Sequence, residues 1–123
     1  MRHLKIGESL KCRRRLGRIK IFLDGVYGCW SALTATDYPD RPGFRGEALF
    51  SPEEFAAICV EADRRGLQIS THAVGDGAVA AAIDGYEAAQ RANGPRDARH
   101  RLEHIDTITF RDLDRLAPLG VVA

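Results

Sequence analysis

Apolar and polar positions alternate between two periods along this chain. The run RIKIFLDG, Arg18 to Gly25, gathers β-branched and aromatic residues into a short stretch closed by Asp-Gly, which predicts a buried strand ending in a turn. From Val26 to Phe50 the period disappears, broken by Pro39, Pro42, Gly43 and Gly46. A long loop is predicted there, and such loops in compact domains are usually functional or disordered. SPEEFAAICVEADRRG then reads as a helix: Ser51 caps it, Pro52 suits its first turn, and Glu54 completes a capping box while favouring the positive helix end. Phe55, Ile58, Cys59 and Ala62 recur at helical spacing as one stripe, and Gly66 supplies the stop.

LQISTHAVG fits a second strand, and DGAVAAAIDGYEAAQRANG a second helix with Val79, Ile83 and Tyr86 on one face. After a Gly-Pro break comes ARHRLEHID, followed by TFRDLDRLAPLG, a helix capped by Thr109 with Asp112 as its partner and with Phe110, Leu113 and Leu116 as its stripe. The closing VVA begins another apolar run. The order β, loop, α, β, α, β, α, β predicts an α/β fold with a parallel sheet and right-handed crossovers.

This order decides how HRLEH, His100 to His104, is read. On a helix the letters have the H-x-x-E-H spacing of an inverted zincin, with His100 and His104 as zinc ligands and Glu103 as general base. The segment instead occupies a strand slot between two marked helices. A strand would put His100, Leu102 and His104 on one face and Arg101 and Glu103 on the other, with His104 at the C-terminal end, where sites of β/α folds gather. The zincin reading would also need a third protein ligand, and the acids after His104, including Asp106, Asp112 and Asp114, look like turn or helix-surface residues.

Three polar residues recur near the ends of apolar runs: Lys20, His72 and His104. Singly, a buried histidine is more often a hydrogen-bonded structural residue than a ligand, and a strand lysine can simply face outward. Together they carry more weight, because parallel strands lie about 4.8 Å apart and matching strand ends converge, so two imidazoles could share one metal ion. In HAVGDG, Gly75, Asp76 and Gly77 allow a tight turn and cap the next helix. His100 enters its strand at the opposite end and takes a structural or supporting role. His3 is assigned none.

Composition adds limits. The chain has 123 residues, 45% hydrophobic and 28% charged, as expected of one folded domain rather than a disordered segment. A formal net charge of +1 gives no field to gather nucleic acid or anionic membrane, and the one basic cluster, Lys11 to Arg15, reads as a solvated face. Cys12, Cys29 and Cys59 lack metal-ligand spacing and suit unpaired thiols in a reducing compartment, with Cys59 in a helix core. No signal-like start or spanning apolar run is present, so the expected location is cytoplasmic.

The pieces KIFLDG, SALTATDYPDRPGFRGEALFSPEEF, GLQISTHAVGDGAV and RHRLEHIDTIT, in this order, resemble the metal-dependent amidohydrolases of amidohydrolase family 3, a group that includes N-substituted formamide deformylase-like proteins. The resemblance covers nearly everything from Lys20 to Ala123 and rests on K-x-F-x-D-G, H-A-x-G-D and R-x-x-x-E-H. It implies a partial (β/α)8 barrel spanning about strands four to seven. By position, Lys20 matches a lysine that can be carbamylated to bridge two metals, and His72 and His104 match the fifth- and sixth-strand ligands. It implies one or two divalent ions, zinc by preference, activating water against a C–N bond in a small amide-like substrate.

Asp24 and Tyr38 are the residues the resemblance suggests for the substrate pocket. The family's first-strand H-x-H pair and eighth-strand aspartate have no counterpart here. Since a complete barrel takes roughly 250 residues, the chain reads as one fragment over 1–123, with 1–17 a weakly defined lead-in and 26–50 a loop on the active-site side. Such a fragment is expected to be inactive alone and to self-associate through open barrel edges. The opposing expectation is a non-catalytic remnant or interaction module.

Overall fold

The computed structural model describes residues 17–123. The basic run Lys11 to Arg15, His3 and Cys12 lie outside the described residues. β1 (Arg18–Phe22), β2 (Gln68–Ala73) and β3 (Arg101–His104) form a parallel sheet in that order. Between them run α1 (Pro52–Arg64) and α2 (Asp76–Asn93), and α3 (Phe110–Leu116) follows β3. A parallel bridge from Arg101 to Val122 starts the next pairing beside β3. HRLEH therefore lies in a strand, extended over Arg101 to Glu103, and not on a helix, which removes the zincin geometry.

The helices form where their end signals predict. Ser51 Oγ accepts the Glu54 amide while Glu54 accepts the Ser51 amide, so two donors that the helix leaves unpaired are satisfied reciprocally. Gly66, just past the helix, takes a φ of +76°, a left-handed conformation that glycine adopts without steric cost. Phe55, Cys59 and Ala62 of α1 pack with Val79, Ala82, Ile83 and Tyr86 of α2 in one core, over Ile21, Ile69, Ala73 and Leu102 from one face of the sheet. Each large apolar side chain so buried contributes about 1.5–3 kcal/mol. Burial pushes the Cys59 thiol up to about 12, so it stays protonated and behaves as a small apolar group.

The helices meet closely because Gly85 leaves room: a Cβ built there would lie 2.5 Å from Phe55 Cε1. α3 differs from the predicted stripe. Leu116 is buried, but Phe110 is 88% and Leu113 48% exposed, while Asp112 is buried in their place. Asp112 receives the Thr109 hydroxyl and Arg115 Nη1, and Arg115 also reaches Asp84 and Glu87 on α2. Ion pairs rather than an apolar stripe thus help orient α3, so Asp112 is not the surface residue its sequence suggests.

Register places the polar residues. Lys20 pairs with Ser70, Phe22 with His72, Ser70 with Arg101 and His72 with Glu103. Paired residues in a parallel sheet share a face, so all of these stand opposite the helices.

Candidate active site at the strand ends

Lys20, Phe22, Ser70, His72, Arg101 and Glu103 share the face that no helix covers among the described residues. His104 is the exception to that arithmetic. It pairs with Ala73 and by alternation belongs with Leu102 on the helix side. The backbone turns left-handed at His104 (φ 80°) and Ile105 (φ 50°), an uncommon conformation for non-glycine residues. The alternation is broken there, and the His104 ring lies 4.6 Å, centroid to centroid, from the His72 ring at an interplanar angle of 64°. Two imidazoles thus meet at the C-terminal end of the sheet.

His72 is held firmly. Its Nε2 lies 2.8 Å from the Gly25 carbonyl, which can only accept, so Nε2 carries the proton and Nδ1 keeps a lone pair. The Phe22 ring packs 5.1 Å from it, and Lys20 Nζ sits 5.5 Å from the centre of that same ring. Lysine, phenylalanine and histidine therefore follow one another along the open face.

Sequence reasoning missed Glu103, whose only predicted role belonged to the zincin alternative. Its carboxylate accepts Arg101 Nε at 2.9 Å and the Ser70 hydroxyl at 3.0 Å. These bonds, Arg101 first, together with the charges of Arg101 and Lys20, hold its pKa below the usual carboxylate range, so it is an anion on the lysine's face. Strand alternation does put Glu103 opposite Leu102, but its neighbours on β1 and β2 follow only from register.

Asp24 and Tyr38 both turn inward. Asp24 is 2% exposed and receives three backbone amides: Val74 on Oδ1 at 2.9 Å, and Gly75 at 2.9 Å and Leu33 at 2.8 Å on Oδ2. Tyr38 is 6% exposed and donates its hydroxyl to the Ala32 carbonyl at 2.6 Å; burial raises its pKa. Each has its polar atoms bonded within the chain, which is not the geometry of a side chain offered to a substrate. The loop residue that does span the strand ends is Tyr27. Its hydroxyl shares a 2.6 Å hydrogen bond with Thr107, linking the loop after β1 to the segment after β3.

Imidazole nitrogens suit a divalent transition metal. The His72–His104 pair fits as part of a ligand set, with Lys20 on the same open face as His72. Among the described residues, no group of three or more His, Cys, Asp or Glu side chains gathers to complete such a set.

His100 lies elsewhere, at the other end of the sheet. Its Nδ1 accepts the Ile69 amide at 3.0 Å, so Nε2 carries the proton and donates to Asp63 Oδ1 at 3.0 Å. Asp63 also receives Asn93 Nδ2 and Arg96 Nε. This is the structural role its entry position predicts.

The sequence profile of the amidohydrolase family matches residues 5–123. The Arabidopsis thaliana protein LONG AFTER FAR-RED 3 is 39% identical over 120 residues, which take in 98% of this chain and 21% of that protein. Crystal structures of an uncharacterized metal-dependent hydrolase from Pyrococcus furiosus and another from Pyrococcus horikoshii OT3 superpose with TM-scores of 0.74 and 0.73 at 32% and 30% identity. Each superposition covers 87% of this chain and 21% of the other. The chain thus spans about a fifth of the length of these relatives.

Proposed function

We propose, for a chain that belongs to the amidohydrolase family, that it is part of the catalytic barrel of a metal-dependent hydrolase acting on a C–N bond. The substrate is a small amide, of the N-substituted formamide type that the sequence pieces suggest. The observation that carries this reading is the meeting of His72 and His104, 4.6 Å apart between ring centroids, at the C-terminal end of a parallel sheet. Resemblance to hydrolases named as metal-dependent supports it. In the full barrel the present strands are the fourth to sixth, and the Val122 bridge beside β3 is consistent with a seventh.

Lys20, His72 and His104 are the metal-facing residues. When bound, a divalent ion, zinc by preference, supplies Lewis acidity that lowers the pKa of water and polarises a carbonyl. The chain's own groups prepare the place for it. The Gly25 carbonyl fixes the His72 tautomer so that Nδ1 presents its lone pair. Lysine, protonated near neutral pH, is a poor ligand. Reaction of its neutral Nζ with carbon dioxide, with loss of a proton, forms a carbamate that offers oxygen donors instead. Phe22, 52% exposed beside both Lys20 and His72, gives the open face an apolar wall against which a substrate's substituent can lie.

The test is metal uptake. Chain dialysed against zinc and then washed, alone or co-produced with the remaining barrel, retains metal measurable by mass spectrometry, and His72→Ala and His104→Ala each weaken retention at least tenfold. Equal zinc in all three proteins would overturn the assignment.

A further inference from the structure

Asp24 is the acid of the K-x-F-x-D-G segment, yet among the described residues it is the most enclosed charged group near the strand ends, its side chain entirely shielded from solvent. We propose that Asp24 is a positioning residue: its carboxylate clamps the end of β2 and the long loop together and thereby fixes the His72 ring. The proposal rests on the reading of His72 as a metal-facing residue.

The geometry is a hub with spokes from distant parts of the chain. Val74 and Gly75, whose amides bind the two carboxylate oxygens, lie just after His72, where β2 leaves the sheet for α2. Leu33, whose amide takes up Oδ2, lies in the loop between β1 and α1. Asp24 Oδ1 itself is 3.6 Å from His72 Nε2, close to the proton that this nitrogen donates to Gly25. A carboxylate bound by several amides is a rigid fixture, because each charge-assisted bond is about twice as strong as a neutral one. The backbone on both sides of the His72 ring is thus set by one side chain and its neighbouring glycine.

The loop is fastened from its other side as well. The Leu33 carbonyl accepts the Gly77 and Ala78 amides at the first turn of α2, and the Asp76 carboxylate accepts the Ala35 amide. This explains the glycines of HAVGDG better than turn-making does. A Cβ at Gly75 would collide with the Leu33 carbonyl, and one at Gly77 would stand 2.9 Å from the Thr34 carbonyl carbon. Gly75 has a φ of −78°, open to any residue, so its requirement is space for the loop and not backbone freedom.

Partner groups around a ligating histidine typically alter metal affinity ten- to a hundredfold when removed. Asp24→Asn keeps the shape and replaces one acceptor oxygen with an amide that cannot receive a backbone N–H. In the 123-residue chain this variant is expected to bind zinc at least tenfold more weakly in a competition titration, with its far-UV circular dichroism unchanged. Gly75→Ala displaces Leu33 from Asp24 while leaving the Asp24 and His72 side chains themselves unchanged, and is expected to weaken zinc binding in the same direction. It therefore decides the matter if Asp24→Asn does not fold. In the metal-free chain, long-range proton–nitrogen spectra of the imidazoles are expected to show His72 as the Nε2–H tautomer, and to show a mixture in Asp24→Asn. Wild-type zinc affinity in both variants, or an unaltered single His72 tautomer in Asp24→Asn, would overturn the proposal. A wild-type chain that takes up no zinc would instead sink the metal assignment and leave the metal-free spectra to judge Asp24.

Discussion

Burial of His100 links one side chain to the pH dependence of the whole fold. Desolvation lowers its pKa from the ordinary 6.5, with the nearby Arg96 adding to the effect and the Asp63 carboxylate opposing it. Tyr86 of α2, ring to ring at 5.2 Å, and the Ile69 amide of β2 complete its surroundings. The unfolded chain takes a proton near pH 6.5 that the folded chain refuses until lower pH, so the unfolded state binds more protons in between. Stability complete above about pH 6.5 therefore declines as pH falls through the folded value. Urea midpoints measured from pH 7.5 to 5 are expected to drop for the wild type and to run flatter for His100→Asn, the other histidines being common to both. At pH 7.5 the variant should lose about 1–3 kcal/mol, since the Ile69 amide or Asp63 is left short of a partner. A parallel pair of curves would show that His100 does not titrate in this way. His104 is the counter-example in legibility. Its residue type and its place at a strand end could be read, but not the left-handed φ that sends its ring to His72, because two-residue alternation assigns it to the other face.

Elements were legible where their signals are local. The capping box, the Gly66 stop and the apolar stripes of α1 and α2 sit within a few residues of one another and formed as read. α3 was misread in detail because its orientation depends on charges contributed by α2, Asp84 and Glu87, far away in sequence. The bonds of Asp24 were illegible for the same reason: its donors come 9, 50 and 51 residues later. Close approach of α1 and α2 gives a further test at this scale. Gly85→Ala improves helix propensity by about 1 kcal/mol, but its methyl group would press on the Phe55 ring. Overpacking of that kind costs about 1–3 kcal/mol, so the melting temperature is expected to fall. A rise would mean that Phe55 moves aside without loss.

For the molecule as a whole, one open sheet edge and a set of exposed apolar side chains govern association. Among the described residues β1 pairs on one side only, and Phe22, Leu49, Phe110 and Leu113 are exposed. A bare parallel edge and uncovered apolar side chains favour association. Sedimentation velocity is expected to show larger species as concentration rises, reduced when Phe110 and Leu113 are both changed to Lys; a wild-type monomer at every concentration would count against this. Leu33 constrains the chain in another way. Its N–H and its carbonyl are both engaged, one by Asp24 and the other by the start of α2. Residues 26–32 are consequently an arc of fixed length, and adding or deleting one residue there would bring the wrong peptide group to both anchors at once. Length variation belongs instead beyond Ala35, around the tight Tyr38–Arg41 bridge, where an extra residue can bulge outward without disturbing either.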